Sequence, residues 1–225
     1  MLLEMLELQQ ELDWLEKPPI FVGGAALHCY LDDFARSQLR TTKDIDLILF
    51  QITSSMQWMD FESKLRQLKW SPDIDGPMCR YISPKGKVVD FLFPSFEVMG
   101  FSNQWYAKVV ENPMFYNIHE HQLMTAQPAL YLATKIEAFL NRGQAEPFDS
   151  QDLEDIVALI DGCSELVASF REQDQELREW ISHHLKSIQS HVWFEALCVG
   201  NLPRGGNEQM REQRFLGKWK EFSII

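Results

Sequence analysis

The chain has 225 residues, which at ~100–200 residues per domain suggests one large domain or a domain with a smaller appendage. Its 33 acidic residues outnumber 21 basic ones, for a formal charge of −12. That balance excludes a generally basic nucleic-acid-coating protein but not a local basic groove. An apolar fraction of 45%, with 7 Trp and 15 Phe, is ample for a packed core and excludes wholesale disorder.

The N-terminal segment mixes acids with apolar residues and has neither a basic start nor a cleavage site, so no secretory signal is expected. No run approaches the ~18 apolar residues of a membrane span. Cys29, Cys79, Cys163 and Cys198 form no CxxC and read as reduced thiols. A soluble cytoplasmic protein is the expectation.

Residues 2–16 carry leucines at helical spacing and stop at Pro18-Pro19. Ile20-Phe21-Val22 then runs through Gly23-Gly24 into an expected helix over 25–35. Residues 43–50, dense in β-formers, predict a buried strand. Ser54 or Ser55 can cap a helix that repeats Trp58, Phe61, Leu65 and Leu68. Residues 71–77 read as loop, and 79–83 with 87–93 as a hairpin across Pro84-Lys85-Gly86. More strand is expected at 106–110 and 115–118. From Pro128 the pattern turns helical. One helix closes on Gly143, a second is capped by Asp149 or Ser150 and ends in Gly162, and a long charged stretch covers 164–198. The expected fold class is α+β, with an α/β core over residues 1–122 and a helical domain over 123–225.

Three features of the first half carry chemistry. Val22-Gly23-Gly24-Ala25 is a strand end passing through glycines into a helix, where backbone can approach a phosphate and helix N–H groups can meet it; a plain turn is the alternative. Asp44 and Asp46 are separated by one residue on a strand, so both carboxylates project from one face. Burying such a pair is costly without a cation or a basic partner, unless the acids face solvent. Asp90 interrupts the apolar run Val88-Val89-Asp90-Phe91-Leu92, a break of local rules that tends to be functional, or else an edge charge that discourages sheet pairing. A second pair, Asp73 and Asp75, lies between Pro72 and Gly76-Pro77 and reads as loop.

In the second half, Lys135 and Arg142 are seven residues apart on one helical face; a lysine at the margin of an apolar face ordinarily snorkels to water. Asp152 and Asp155 follow in the next helix, where Asp152 also suits the first-turn dipole and a capping box with Asp149. His28, His119, His121, His183 and His184 lack zinc spacing. No G-x-S-x-G, Walker A or dinucleotide fingerprint occurs. Arg204, Arg211, Arg214, Lys218 and Lys220 make the C-terminal segment locally positive; it reads as a solvated terminal helix, with contact to RNA as the alternative.

In order, spacing and context, the glycine pair, the DxD strand and the later acid resemble the DNA polymerase β-like nucleotidyltransferase superfamily over residues 20–93. The stretch from Gly23 to Leu47, including Arg40-Thr41-Thr42-Lys43-Asp44-Ile45-Asp46, is similar to AbiEii-like nucleotidyltransferases of type IV toxin–antitoxin pairs. Gln151 stands where that group often carries Arg. The resemblance implies a nucleotidyltransferase-like mixed sheet with flanking helices and a helical C-terminal domain. It implies one or two Mg²⁺ on Asp44, Asp46 and Asp90, with Lys135 joining them as a catalytic residue. It implies an NTP contacted by Gly23, Gly24, Arg40, Thr42, Lys135, Arg142, Asp152 and Asp155. The expected reaction moves an NMP to a hydroxyl of an RNA 3′ end or a protein, with an antitoxin as a further partner. Two alternatives stand beside it, transfer to a small cationic acceptor such as an antibiotic, and a non-catalytic nucleotidyltransferase fold that binds or acts as an antitoxin partner.

Overall fold

A computed structural model describes residues 1–100, 102–203, 205 and 207–222, the side chains of Phe96 and Glu97 excepted. In chain order the elements are α1 (Leu2–Glu11), β1 (Ile20–Val22), α2 (Gly23–Ala26), α3 (Asp33–Ser37), β2 (Asp44–Ile48), α4 (Ser55–Gln67), β3 (Ser71–Pro72), β4 (Arg80–Ile82), β5 (Val88–Leu92), α5 (Phe96–Met99), α6 (Tyr106–Glu111), β6 (Pro113–Ile118), β7 (His121–Ala126), α7 (Pro128–Ala138), α8 (Gln151–Gly162), α9 (Leu166–Arg171), α10 (Gln175–Gln189) and α11 (Glu208–Glu221). Two compact units result. One comprises Met1–Cys29 and Thr41–Gln127, the other Tyr30–Arg40 and Pro128–Ile225. No helix among the described residues is long and apolar enough to cross a membrane.

The first unit is built on a seven-stranded mixed sheet of order β3-β4-β5-β2-β1-β7-β6. Residue 122, the expected end of the α/β core, lies inside β7, which alternates buried Leu123 and Thr125 with half-buried Met124 and pairs with β6. The hairpin expected across Pro84-Lys85-Gly86 is β4–β5, in antiparallel register from Ile82↔Val88 to Arg80↔Asp90. Gly86, at φ +81°, closes its turn.

Strand alternation gives this sheet two chemically different faces. The lateral rows Phe21–Leu47–Phe91 and Ile45–Val89–Tyr81 are apolar and buried. Against them lie aromatic rings of α4. Phe61 meets Phe91 edge-on at 5.0 Å, and Trp58 meets Tyr81 and Phe93 at 5.9 and 5.3 Å. Such pairs add to area burial in holding register. The intervening row, on the opposite face, is Val22–Asp46–Asp90–Arg80.

Three expectations are corrected. The helix expected over 25–35 breaks after Cys29, because Asp32 caps a new one by accepting from Ala35 N at 2.7 Å. Residues 106–110 are helical, not strand. Asn103 folds its side chain onto Trp105 N (3.0 Å) and its carbonyl onto Tyr106 N (3.1 Å), which starts a turn that continues as α6. Residues 71–72, expected as loop, form a two-residue edge strand against β4.

The second unit is helical. α8 carries the buried residues Leu153, Ile156, Leu159 and Ile160 and packs against α3, α7 and α11. Gly162 allows α3 to approach closely, since a Cβ there would lie 2.5 Å from that of Ala35. α7 widens into a π-turn over Phe139–Gly143, where Gly143 leaves room for Ser150. Ser150 is the cap of α8, accepting from Leu153 N.

The C-terminal segment is not a solvated helix. Phe215, Trp219 and Phe222 are fully buried, and Arg211, Arg214 and Lys218 all turn onto Asp161. Arg211 forks onto both oxygens of the Asp161 carboxylate, Arg214 adds a bond at 3.2 Å, and Lys218 donates to the carbonyls of Asp161 and Cys163 at 3.0 Å each. Arg211 also lies over the Phe34 ring, 4.7 Å from its centroid. Arg204 lies outside the described residues. Asp161 is fully buried, so removing its charge strands these cations. Asp161→Asn is expected to cost about 3–5 kcal/mol in chemical denaturation and to expose α11 to limited proteolysis.

Candidate functional site

The acids of the first unit meet because strand order and register bring them together. β2 is the neighbour of β5, in parallel register that sets Asp46 against Asp90 and Asp44 against Val88. Asp44, Asp46 and Asp90 therefore share the face opposite the aromatic core. Ile45 and Leu47, which alternate with Asp44 and Asp46, point into that core and are buried. The Asp73–Asp75 segment lies in a turn, where Asp73 Oδ1 accepts from Asp75 N at 3.3 Å.

β1 delivers the glycine pair to the same row, since Val22 pairs with Asp46. Gly23 has φ +61°, a conformation that L side chains seldom take. It lies directly on the Asp46 carboxylate, such that a Cβ at Gly23 would fall 1.7 Å from Asp46 Oδ2. Only a residue without a side chain fits this contact. α2 is four residues long, so its dipole is small, and the geometric work of Gly23 is this close approach to Asp46. Gly24 is buried in α2, and Thr42 is half-buried immediately ahead of β2.

One site residue, Arg80, was not singled out from the sequence. It donates from Nε to Asp90 Oδ1 (2.7 Å) and from Nη2 to Asp90 Oδ2 (2.8 Å) and Asp44 Oδ2 (2.5 Å). This is a fork on one carboxylate with a third bond to its neighbour, the strong form of the interaction. The hydrogen bonds to Asp90 raise the already basic guanidinium further. Next to it the Cys79 thiol is pushed up to about 12, by burial first and then by the negative charge of Asp90, so it is no nucleophile at neutral pH. The signal for Arg80 was in the sequence. A hairpin symmetric about Lys85 places residue 80 opposite residue 90.

Three carboxylates on one face are hard oxygen donors of the kind that Mg²⁺ takes. In their arrangement, however, they do not fit the ion. Among the described residues no three His, Cys, Asp or Glu side chains come together so as to hold a metal. The guanidinium of Arg80 takes oxygens of Asp44 and Asp90 instead.

The remaining candidates meet in the helical unit. Lys135, on α7, is almost fully buried and pairs with Asp155 at 2.6 Å and Asp152 at 3.2 Å. Arg142, on the π-turn, forks onto Asp152 at 2.7 and 3.0 Å. Arg40 donates to both oxygens of Asp155 at 3.2 and 3.3 Å and lies 3.2 Å from Glu154. Three cations thus face three anions. Lys135 does not snorkel, and Asp152 turns to cations and not to a box with Asp149. Burial alone would raise the Asp152 carboxyl, but the hydrogen bonds of Arg142 and the charge of Lys135 outweigh it and hold the group below its ordinary range. A cavity of about 210 Å³ beside this network is lined by Gln38, Leu39, Arg40, Asp155, Asp161 and Asn201, among others.

The chain matches no protein-family model and no curated protein. Among solved structures it is similar to an antigenic nucleotidyltransferase-like protein from Paracoccidioides brasiliensis, at 20% identity and a TM-score of 0.46, over 80% of this chain and 84% of that one.

Two consequences can be measured. Gly23→Ala must adopt a left-handed backbone and displace Asp46; a loss of at least about 2 kcal/mol in denaturant unfolding is expected. Asp152→Asn, which leaves Lys135 and Arg142 undercompensated, is expected to cost about 3 kcal/mol at pH 7. Because the folded carboxyl is held low, that stabilisation is present above the unfolded value of ~4 and is lost as pH falls through the folded value. The gap between wild type and Asp152→Asn therefore closes in acid unfolding curves below ~pH 4.

Proposed function

We propose that the chain is a nucleotidyltransferase that moves an NMP from an NTP to a hydroxyl acceptor, with Asp44, Asp46 and Asp90 as its reactive carboxylates. The observation that carries this reading is the lateral row Val22–Asp46–Asp90–Arg80, with Asp44 on the same face and Gly23 pressed on Asp46. Placing three like charges beside one another is costly, and sheet register, a left-handed glycine and a forked arginine all serve to hold them there. A structural sheet has no need of such an arrangement.

In the reaction the acceptor oxygen attacks the α-phosphorus. The new O–P bond forms, the bond to the β-phosphate oxygen breaks, and pyrophosphate leaves. The hydroxyl proton passes to a carboxylate of the row. The chain's own contribution is positioning. β2 and β5 fix the carboxylates rigidly, and Gly23 leaves the flank of Asp46 open to backbone alone. Arg80, fixed at the end of the row, supplies positive charge where phosphate oxygens would gather.

The acceptor follows from charge. An RNA acceptor needs Lys and Arg for phosphate contacts, yet Arg211, Arg214 and Lys218 of the terminal helix are spent on Asp161 and nearby carbonyls. With a net charge of −12, a protein or small cationic hydroxyl acceptor is the better match. A second reading, nucleotide binding without turnover, is favoured by one observation, the neutralisation of Asp44 and Asp90 by Arg80.

Incubation with Mg²⁺ and each labelled NTP, followed by NTP-binding and transfer assays over protein and aminoglycoside-type acceptors, separates these readings. Asp46→Asn is expected to reduce transfer by roughly 10²-fold or more while the fold is retained. Binding without transfer on any acceptor would favour the second reading. Identical binding by wild type and Asp46→Asn, with no transfer by either, would sink the first.

A further inference from the structure

The sheet of the first unit ends in two unlike edges. At one end β3 is two residues long and carries Pro72, which has no N–H to offer a further strand. At the other end β6 runs for six residues, Pro113-Met114-Phe115-Tyr116-Asn117-Ile118, without a charged side chain. Charged residues, above all lysine, are a usual guard of an open edge, and β6 has none. Among the described residues the backbone of β6 bonds to β7 and to no other element.

The hairpin fixes which groups of β6 face outward. β6 and β7 are joined by the turn His119-Glu120, with His119 at φ +53°, so the closing pair Ile118↔His121 exchanges both of its hydrogen bonds. Alternation makes Tyr116↔Leu123 and Met114↔Thr125 bonded pairs as well, and turns the peptide groups of Pro113, Phe115 and Asn117 away from β7. The Gln122 carbonyl agrees with this phase. It belongs to the residue opposite Asn117, and it accepts from Gln9 Nε2 of α1 at 3.0 Å. The outward row therefore carries the N–H donors of Phe115 and Asn117 and the carbonyls of Pro113, Phe115 and Asn117. Beside them the Phe115 ring is 55% exposed, and Asn117 is exposed too.

We infer that this edge pairs with the same edge of a second copy of the chain, antiparallel and with the two-fold axis at Phe115. In that register Phe115 N of each copy donates to the Phe115 carbonyl of the other, and Asn117 N donates to the Pro113 carbonyl across the axis. The missing N–H of Pro113 leaves only the Asn117 carbonyl to water. The two exposed rings meet across the axis, a favourable cross-strand pair, and no charge on β6 opposes another. An axis at Tyr116 forms as many bonds but sets Phe115 against the Asn117 amide. A second copy fits better than an unrelated peptide because the outward row is complementary to itself. The contact closes at two copies and leaves as outer edges only the two β3 strands, short and blunted by Pro72. With so few bonds and one ring pair, the dimer is concentration-dependent and not obligate. The surface is independent of the proposed transfer reaction.

Sedimentation equilibrium of the full chain is the test, and wild type is expected to pass from monomer to dimer between ~1 and ~200 µM. Phe115→Lys sets like charges opposite each other and is expected to raise the dissociation constant about tenfold or more. Asn117→Pro removes an outward donor while the β7 ladder keeps its bonds, and is expected to weaken the dimer in the same way. Circular dichroism checks that both variants are folded. Should either fail to fold, the other decides together with a cross-link. Cys29, Cys79, Cys163 and Cys198 are all buried, so Phe115→Cys adds an exposed thiol. Mild oxidation is expected to join two chains at position 115, where the paired Cα atoms lie ~5.5 Å apart, within disulfide reach. A monomer at every concentration overturns the proposal, and so does a dimer that both edge variants leave intact. Faster cross-linking of Tyr116→Cys than of Phe115→Cys overturns the register.

Discussion

The first unit is organised around the repulsion of three carboxylates on one sheet face. Neighbouring strands lie ~4.8 Å apart, so the laterally paired charges of Asp46 and Asp90 alone cost about 3 kcal/mol at an effective dielectric of ~20. Arg80 offsets part of that cost through its bonds to Asp44 and Asp90. The compensating energy comes largely from the other face. There the rows Phe21–Leu47–Phe91 and Ile45–Val89–Tyr81 pack on Trp58 and Phe61 and fix the register on which the acids depend. Because a one-residue slip would send every side chain to the opposite face, the aromatic core and the acid row specify each other.

The helical unit handles charge by the same rule. Its buried carboxylates, Asp152, Asp155 and Asp161, each meet at least two cationic side chains or their equivalent in backbone donors and arginine forks. Such networks contribute less to net stability than their distances suggest, since desolvation offsets much of the Coulombic gain. What they do supply is uniqueness. Arg211 and Arg214 can dock on Asp161 in only one register of the terminal helix, and Lys135 can satisfy Asp152 and Asp155 together only from one face of α7. The negative excess of the whole chain therefore resides outside these clusters.

What the sequence revealed follows from how local each signal is. The DxD strand, the β4–β5 hairpin and the Ser54 cap depend on neighbours in the chain, and residue periodicity exposes them. The same holds for Asp90, which is conspicuous because everything around it is apolar. Arg80 is not conspicuous, as an arginine in a short strand has nothing local to betray it. Its role appears only when the hairpin register is counted to residue 90. Lys135 and Asp152 were each conspicuous in the sequence, but their pairing across seventeen residues was not, and the ties of Arg211 and Arg214 to Asp161, which span about fifty, left no periodic trace. The helix at 106–111 was hidden for a different reason. It is started by the side chain of Asn103, while the β-formers Tyr106, Val109 and Val110 argued for strand.

Arg80 also bears on the choice between a transferase and a nucleotide-binding protein. A permanent arginine on Asp44 and Asp90 would make the row a structural salt bridge, and a sheet that wanted only stability would gain more from apolar residues of similar volume in its place. Retaining three acids beside a glycine that tolerates no Cβ is the costlier choice for stability, and it suits the proposed reactive row. Asp46 is the point on which this turns. It stands between Gly23 on one side and Asp90 on the other, in a position where Arg80 makes its bonds to its two neighbours. A carboxylate so fixed, on a rigid central strand, suits the proposed role of accepting the acceptor's proton.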